Sequence, residues 1–159
     1  MIELDEIDRR LLELLQGNAR LSNAELGQAV GLSVSAATER VRKLVERGVI
    51  TGFHAHVEPE SVDMGLLVMV FVATAEPEAE RRFLAEMRKC PCVLECHHVT
   101  GSWNHLMKVR IENTRMLEAF FTNVVKKIKG VVRTETLVVL SSSKEVHTLP
   151  TTAPDWMPR

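Results

Sequence analysis

Ser22–Gly48, SNAELGQAVGLSVSAATERVRKLVERG, decides how the rest of the chain is read. Ser22 and Glu25 stand at the spacing of a capping box, in which each side chain accepts from the other residue's backbone N–H. Leu21 and Leu26 occupy the flanking staple positions. The helix that starts there carries Ala24, Leu26, Gly27, Ala29 and Val30, and Gly31 stops it, because a left-handed C-terminal residue is cheapest as glycine. Gly27 is small where a second helix must cross closely. Leu32 anchors the turn and Ser33 caps the next helix. There Ala37, Val41, Leu44 and Val45 form one apolar face. Ser35, Ala36, Glu39, Arg42 and Lys43 lie opposite, flanked by Thr38 and Arg40. Two short helices, a glycine turn and a polar, partly basic outer face make a helix-turn-helix pattern.

The segment before it completes the unit. Leu4–Gln16 reads as a first helix, with Asp5 as N-cap and Ile7, Leu11, Leu14 and Leu15 as its stripe, ended by Gly17-Asn18. Arg9, Arg10 and Arg20 are exposed cations, candidates for phosphate contacts or solvated charges. The whole chain has 159 residues and a net charge of −1, so affinity for nucleic acid must come from local clustering. Ser33–Arg47 supplies it, setting Arg40, Arg42, Lys43 and Arg47 against Glu39 and Glu46.

Beyond Gly48, residues 49–57 suggest an extended linker strand through Val49, Ile50, Phe53 and Val57. The pattern then changes. Leu66–Ala73 is apolar throughout and therefore reads as a strand covered on both faces. Pro77–Lys89 reads as a helix with Ala79, Phe83, Leu84 and Met87 inward. Val93–Thr100 and His105–Glu112 read as strands around a turn at Gly101–Asn104. In the second, His105, Met107, Val109 and Ile111 face one way, and Leu106, Lys108 and Arg110 the other. Thr114 caps a helix to Lys129, Gly130 closes it, and Val131–Ser141 is the last strand. Strand, helix, strand, strand, helix, strand is the split βαβ, ferredoxin-like order. Its helices cover one face of the sheet. A second copy of the chain is the simplest cover for the other, giving a sheet-to-sheet homodimer. The fold class is thus α+β: a three-helix unit over 1–50, a linker strand and connection over 51–64, a ferredoxin-like βαββαβ domain over 65–142, and a tail over 143–159 that reads as an arm or disordered segment.

Several function classes are excluded or set aside. There is no signal peptide and no apolar run long enough for a bilayer, so the expectation is a cytoplasmic protein that does not associate with membranes. The three cysteines, an odd number, argue against a disulfide scaffold. Cys90, Cys92 and Cys96 with His97, His98 and His105 invite a metal reading, but no paired CxxC spacing supports it, and no cofactor is expected. Nothing resembles a phosphate loop, a nucleophile elbow or a catalytic carboxylate pair, so no catalytic residue is assigned.

LDEIDRRLLELLQGNARLSNAELGQAVGLS, ERVRKLVERGVITGF, GLLVMVFV, HHVTGSW and VVRTETLVVL together resemble the Lrp/AsnC (leucine-responsive/asparagine-operon, feast/famine) transcriptional regulators over Leu4 to about Leu149. The resemblance implies a sequence-specific regulator of double-stranded DNA that forms dimers and then tetramers, octamers or similar rings. It also implies an amino-acid effector bound where dimers meet. By position, the recognition helix is Ser33–Glu46, with Ser33, Ser35, Thr38, Arg40, Arg42 and Lys43 as DNA contacts. The effector loop is Gly101-Ser102-Trp103-Asn104, and Thr134 and Thr136 complete a neighbouring subunit's pocket. The family loop commonly reads Gly-Asp-Tyr-Asp. Here Ser102 and Asn104 offer neutral oxygens instead, while backbone N–H groups at Gly101–Trp103 remain for a carboxylate. Beside Trp103 and Met107, this favours a hydrophobic amino acid over lysine or arginine. Two other readings stand beside this one: a DNA-compacting architectural protein without an effector, and a metal- or thiol-responsive regulator.

Overall fold

The structure is a computed structural model that describes residues 3–152. The chain divides into two compact units. One joins the residues up to His56 with the tail from Lys144, and the other is Val57–Ser143.

The first unit holds three helices, α1 (Glu6–Gly17), α2 (Asn23–Val30) and α3 (Val34–Glu46). Asp5 caps α1 by accepting from the Asp8 N–H at 2.7 Å. The capping box of α2 is complete: Ser22 Oγ accepts from the Glu25 N–H, and Glu25 accepts from the Ser22 N–H. Gly31 adopts φ +69° and ends α2. A Cβ on Gly27 would stand 2.8 Å from the Leu32 carbonyl oxygen, so the turn after α2 closes only over glycine. Leu11, Leu26, Ala37 and Leu44 are the fully buried centre. Each large aliphatic side chain buried there contributes about 1.5–3 kcal/mol. Val45, expected on the inner face, is 44% exposed. It lies eight positions from Ala37, at the margin of the stripe, where a 3.6-residue period has drifted towards solvent.

The linker strand is not formed. Residues 51–58 carry no regular structure, and Phe53 and Val57 are exposed. A strand exists only as a partner in a ladder, and no described residue pairs with this segment. The tail is more ordered than expected. The Gln16 side chain donates to the Leu149 carbonyl at 3.0 Å and accepts from the Leu149 N–H at 2.7 Å. A glutamine amide offers the same donor–acceptor pair as a peptide group, so it holds this extended segment as a neighbouring strand would. Arg9 adds a bond to the Thr151 carbonyl, and the His147 ring stacks on His56. Pro154 and Pro158, counted with the tail, lie outside the described residues.

The second unit is a four-stranded antiparallel sheet in the order β2-β3-β1-β4, from β1 (Leu66–Thr74), β2 (Val93–His98), β3 (His105–Ile111) and β4 (Val131–Val138). Two helices, α4 (Pro77–Met87) and α5 (Thr114–Asn123), complete the ferredoxin-like order. Asn113, not Thr114, caps α5, accepting from the Met116 N–H at 3.0 Å. The α-helix ends at Asn123 and the chain continues as a single 3-10 turn, Val125–Lys127. Gly130 has φ +91°, and a Cβ there would collide with the Ala79 side chain. That close approach lets the chain re-enter the sheet beneath α4.

Strand register separates the faces. Val68, Val70 and Val72 pair with Val109, Met107 and His105, and all are buried with Phe83, Met87 and Phe120. Leu67, Met69, Phe71 and Ala73 take the opposite face, with Leu106, Lys108 and Arg110 on β3 and Arg133, Glu135 and Leu137 on β4. Met69 and Phe71 are half-buried there and Leu137 is exposed.

Candidate DNA-reading helix and effector loop

The outer face of α3 is built by its cap. Ser33 Oγ accepts from the Ala36 N–H at 3.2 Å and lies 3.1 Å from Ser35 Oγ. Thr38 donates to the Val34 carbonyl at 2.7 Å. Ser33, Ser35 and Thr38 are exposed, as are Arg42 and Lys43. Small polar residues at the start of a helix allow close approach of its backbone to base edges. Arg42 is held by Glu39 at 2.6 Å and by Glu46, and Lys43 lies 3.6 Å from Glu39. Bonded to Arg42, the Glu39 carboxyl is pulled down to about 2, and the Arg42 guanidinium is raised above its usual range. These ion pairs are solvent-exposed and cheap to exchange for phosphate contacts.

Arg40 departs from the sequence reading. Its guanidinium turns into the three-helix unit, 2.7 Å from Asp5 Oδ2 and 2.8 Å from Asp8 Oδ1. Asp8 is buried, and an ionised carboxylate at such a position requires a partner. Asp5 is lowered first by the Asp8 N–H and then by Arg40. Arg40 therefore joins α3 to the start of α1 and is engaged by two carboxylates at that helix's N-terminal end. Among the flanking cations, Arg9 is bonded to Thr151 and Arg10 to Glu13, whereas exposed Arg20 pairs with no acid among the described residues.

In the second unit the loop between β2 and β3 is fixed at both ends. The Val99 N–H donates to the Asn104 carbonyl at 2.9 Å, and the Asn104 N–H to the Val72 carbonyl at 3.0 Å. The Asn104 side chain is committed as well: its Oδ1 accepts from the Thr74 N–H at 2.8 Å, beside the irregularity in the β1–β4 ladder. Asn104 holds the loop in place through its backbone and its side chain. Trp103 leans on Phe71, ring centroids 5.9 Å apart, on the open sheet face. Arg133 lies over the other side of the indole, its guanidinium carbon 4.0 Å from the ring centroid, and donates to the Ser102 carbonyl at 3.0 Å. Sequence reading missed Arg133. It is an ordinary exposed arginine in a strand until the fold sets it beside a loop thirty-one residues away. Thr134 and Thr136 pair with Val72 and Val70, so they share the helix-covered face. Within one chain the fold does not bring them to Trp103.

The cysteine and histidine cluster is apolar in character. Cys90 and Cys92 sulfurs are 3.3 Å apart, and burial with the neighbouring thiol pushes Cys92 up to about 12. Burial also raises Cys96. His105 is fully buried between Phe83 and His98, its Nε2 3.2 Å from Glu80 Oε1. Burial lowers its pKa, opposed by the Glu80 charge. Among the described residues no three metal-ligating side chains converge. No helix among them is long and apolar enough to cross a membrane.

Residues 4–51 match the winged helix-turn-helix DNA-binding family, and residues 66–149 match the Lrp/AsnC ligand binding domain. The described residues after α3 form no winged hairpin. The leucine-responsive regulatory protein of Salmonella typhimurium is 35% identical over 92% of this chain and 91% of its own length. That of Escherichia coli K12 is 34% identical over the same shares. A transcriptional regulator of Neisseria meningitidis, solved in complex with L-Met, superposes with a TM-score of 0.89 at 32% identity, covering 93% of this chain and 97% of that one. Escherichia coli AsnC gives 0.85 at 28% identity, over 91% and 97%. Fold and surfaces thus define a helix-turn-helix transcriptional regulator that carries its own ligand-binding domain. The chain belongs to the Lrp/AsnC family.

Proposed function

We propose that this regulator reads double-stranded DNA with the exposed face of α3 and changes its DNA binding or its assembly when a small effector, an amino acid or close analogue, reaches the loop at Gly101–Asn104. The observation that carries the reading is the built loop. Asn104 anchors it at two points, Trp103 supplies an apolar wall, and the N–H groups of Gly101, Ser102 and Trp103 donate to no acceptor among the described residues. The methionine complex of the Neisseria relative supports an amino-acid-type effector. Ser33, Ser35, Thr38, Arg42 and Lys43 are the proposed DNA contacts, with Arg20 as a phosphate contact.

The active species is a homodimer that assembles further. The half-buried side chains of Met69 and Phe71 on the open sheet face supply a surface for a second copy. With two subunits, recognition helices enter successive major grooves about 34 Å apart on a two-fold-related site. Thr134 and Thr136, remote from the loop of their own chain, reach an effector only from a neighbouring subunit.

The test is a footprinted operator fragment titrated with protein in the presence and absence of each of the twenty amino acids. A change in affinity or in the size of the complex with at least one hydrophobic amino acid is expected. DNA binding that ignores every one of them supports the architectural reading instead.

A further inference from the structure

Two cysteines meet where α4 hands over to β2. Cys90 and Cys92 are half-buried, and their sulfurs stand 3.3 Å apart across Pro91. The backbone holds them from both sides. The Cys90 N–H donates to the Met87 carbonyl at 3.2 Å, at the end of α4, and the Cys92 carbonyl accepts from the Arg110 N–H at 2.9 Å, beside the β2–β3 ladder. The Val93 N–H donates to the Cys90 carbonyl at 3.1 Å, which closes a four-residue turn with Pro91 in second position. The fixed φ of proline presets that turn. A disulfide needs its sulfurs about 2 Å apart, so roughly 1 Å of approach by side-chain rotation suffices. Both side chains pack against the core of the sheet unit. A disulfide is neutral and apolar, so forming one there buries no charge. The third cysteine is placed differently: Cys96 lies beyond the turn, within β2, opposite Met107.

We propose that Cys90-Pro91-Cys92 is a reversible two-electron redox site, oxidised to a disulfide by low-molecular-weight disulfides such as oxidised glutathione. It uses no residue of the effector loop or of the outer face of α3, and it does not depend on what that loop binds. Cys90 is the entry thiol. Burial, and then the neighbouring Cys90 thiol, push Cys92 up to about 12, which makes it a poor first nucleophile. The Cys90 thiolate attacks one sulfur of the oxidant, the oxidant's S–S bond breaks, and one thiol departs with a proton. Cys92 then gives up its proton and attacks Cys90 Sγ in the mixed disulfide, expelling the second thiol. The protein loses two electrons and two protons, and the oxidant becomes two thiols. Because the sulfurs are already in contact, the second step is intramolecular and leaves no lasting adduct.

The experiment equilibrates the full chain with glutathione buffers of increasing oxidised fraction, quenches with acid, alkylates the remaining thiols and maps the peptides by mass. Cys90 and Cys92 should lose their thiols together, with a loss of two hydrogens and no glutathione adduct. Cys96 should stay reduced, and dithiothreitol should restore both thiols. Cys92→Ser should stop at a glutathione adduct on Cys90, Cys90→Ser should leave Cys92 reduced, and Cys96→Ser should oxidise as the parent does. Circular dichroism checks each variant's fold, and where one is unfolded the parent's peptide map decides alone. Three thiols that stay reduced in the most oxidising buffer overturn the proposal. A lasting glutathione adduct on the parent, a bond between Cys92 and Cys96, or a disulfide between two chains in place of the Cys90–Cys92 bond overturns it as well.

Discussion

The two units of the molecule are held by different kinds of polar contact. In the three-helix unit most side-chain bonds close within a turn of helix: Ser22 with Glu25, Ser33 with Ala36, Arg42 with Glu39 and Glu46. In the sheet unit the bonds that shape the candidate site join residues thirty or more positions apart, Asn104 to Thr74 and Arg133 to Ser102. The first kind positions a surface that solvent and DNA can reach. The second positions a loop by fixing its ends to two strands. The recognition surface should therefore tolerate single substitutions in stability but not in binding, and the loop should show the reverse at Asn104.

The largest contrast lies across one strand. Val70 is fully buried on the helix-covered face, and Met69 is half-buried on the open face. Val70→Asp places a charge in the core, at a cost of several kcal/mol, and should abolish folding of the sheet unit by circular dichroism. Met69→Asp should leave the fold intact and shift the oligomer towards monomer in sedimentation. A folded Val70→Asp protein would break the assignment of faces, and an unchanged Met69→Asp oligomer would remove the open face from the interface.

Two arginines on α3 give the next contrast. Arg40→Ala leaves Asp8 buried without its partner and should cost about 2 kcal/mol in urea unfolding. Arg42→Ala removes only exposed ion pairs and should leave the urea midpoint nearly unchanged. Equal costs would place Arg40 on the surface after all. These two residues also mark what the sequence made legible. Caps, glycine stops, helix stripes and the alternation along β3 depend on neighbours a few positions away, and residue spacing displays them. The partners of Arg40 lie thirty-five and thirty-two positions earlier. On a helical wheel Arg40 is therefore only a flanking cation beside other cations. Arg133 was invisible for the same reason. The linker segment has extended propensity, but a strand requires a partner, and none pairs with it among the described residues. Assigning Thr134 and Thr136 to a face required the β1–β4 register, which turn lengths alone do not set.

A smaller effect is expected at Asn104. Asn104→Ala removes the acceptor for the Thr74 N–H and should destabilise the sheet unit by about 1 kcal/mol, with weaker effector binding as a consequence of loop mobility. Full stability with weakened binding would instead make Asn104 a direct ligand. The smallest effect is a pH slope. Burial depresses the His105 pKa, so the unfolded chain takes up a proton below about pH 6.5 while the folded chain still resists it. The stability tied to His105 is fully present above that pH and declines as pH falls towards the lower folded pKa. Unfolding measured at pH 7.5 and 5.5 should show a larger loss for the parent protein than for His105→Gln. Parallel losses would mean that Glu80 cancels the burial.

The assignment of DNA reading to the outer face of α3 is tested most directly by the salt dependence of operator affinity in two variants, Arg42→Ala and Arg40→Gln, the latter keeping hydrogen-bond donors for Asp5 and Asp8. Arg42→Ala should weaken binding and lower the slope of log affinity against log salt by about one per subunit, while Arg40→Gln leaves the slope unchanged. A slope that falls with Arg40→Gln and not with Arg42→Ala contradicts the assignment and returns Arg40 to the DNA.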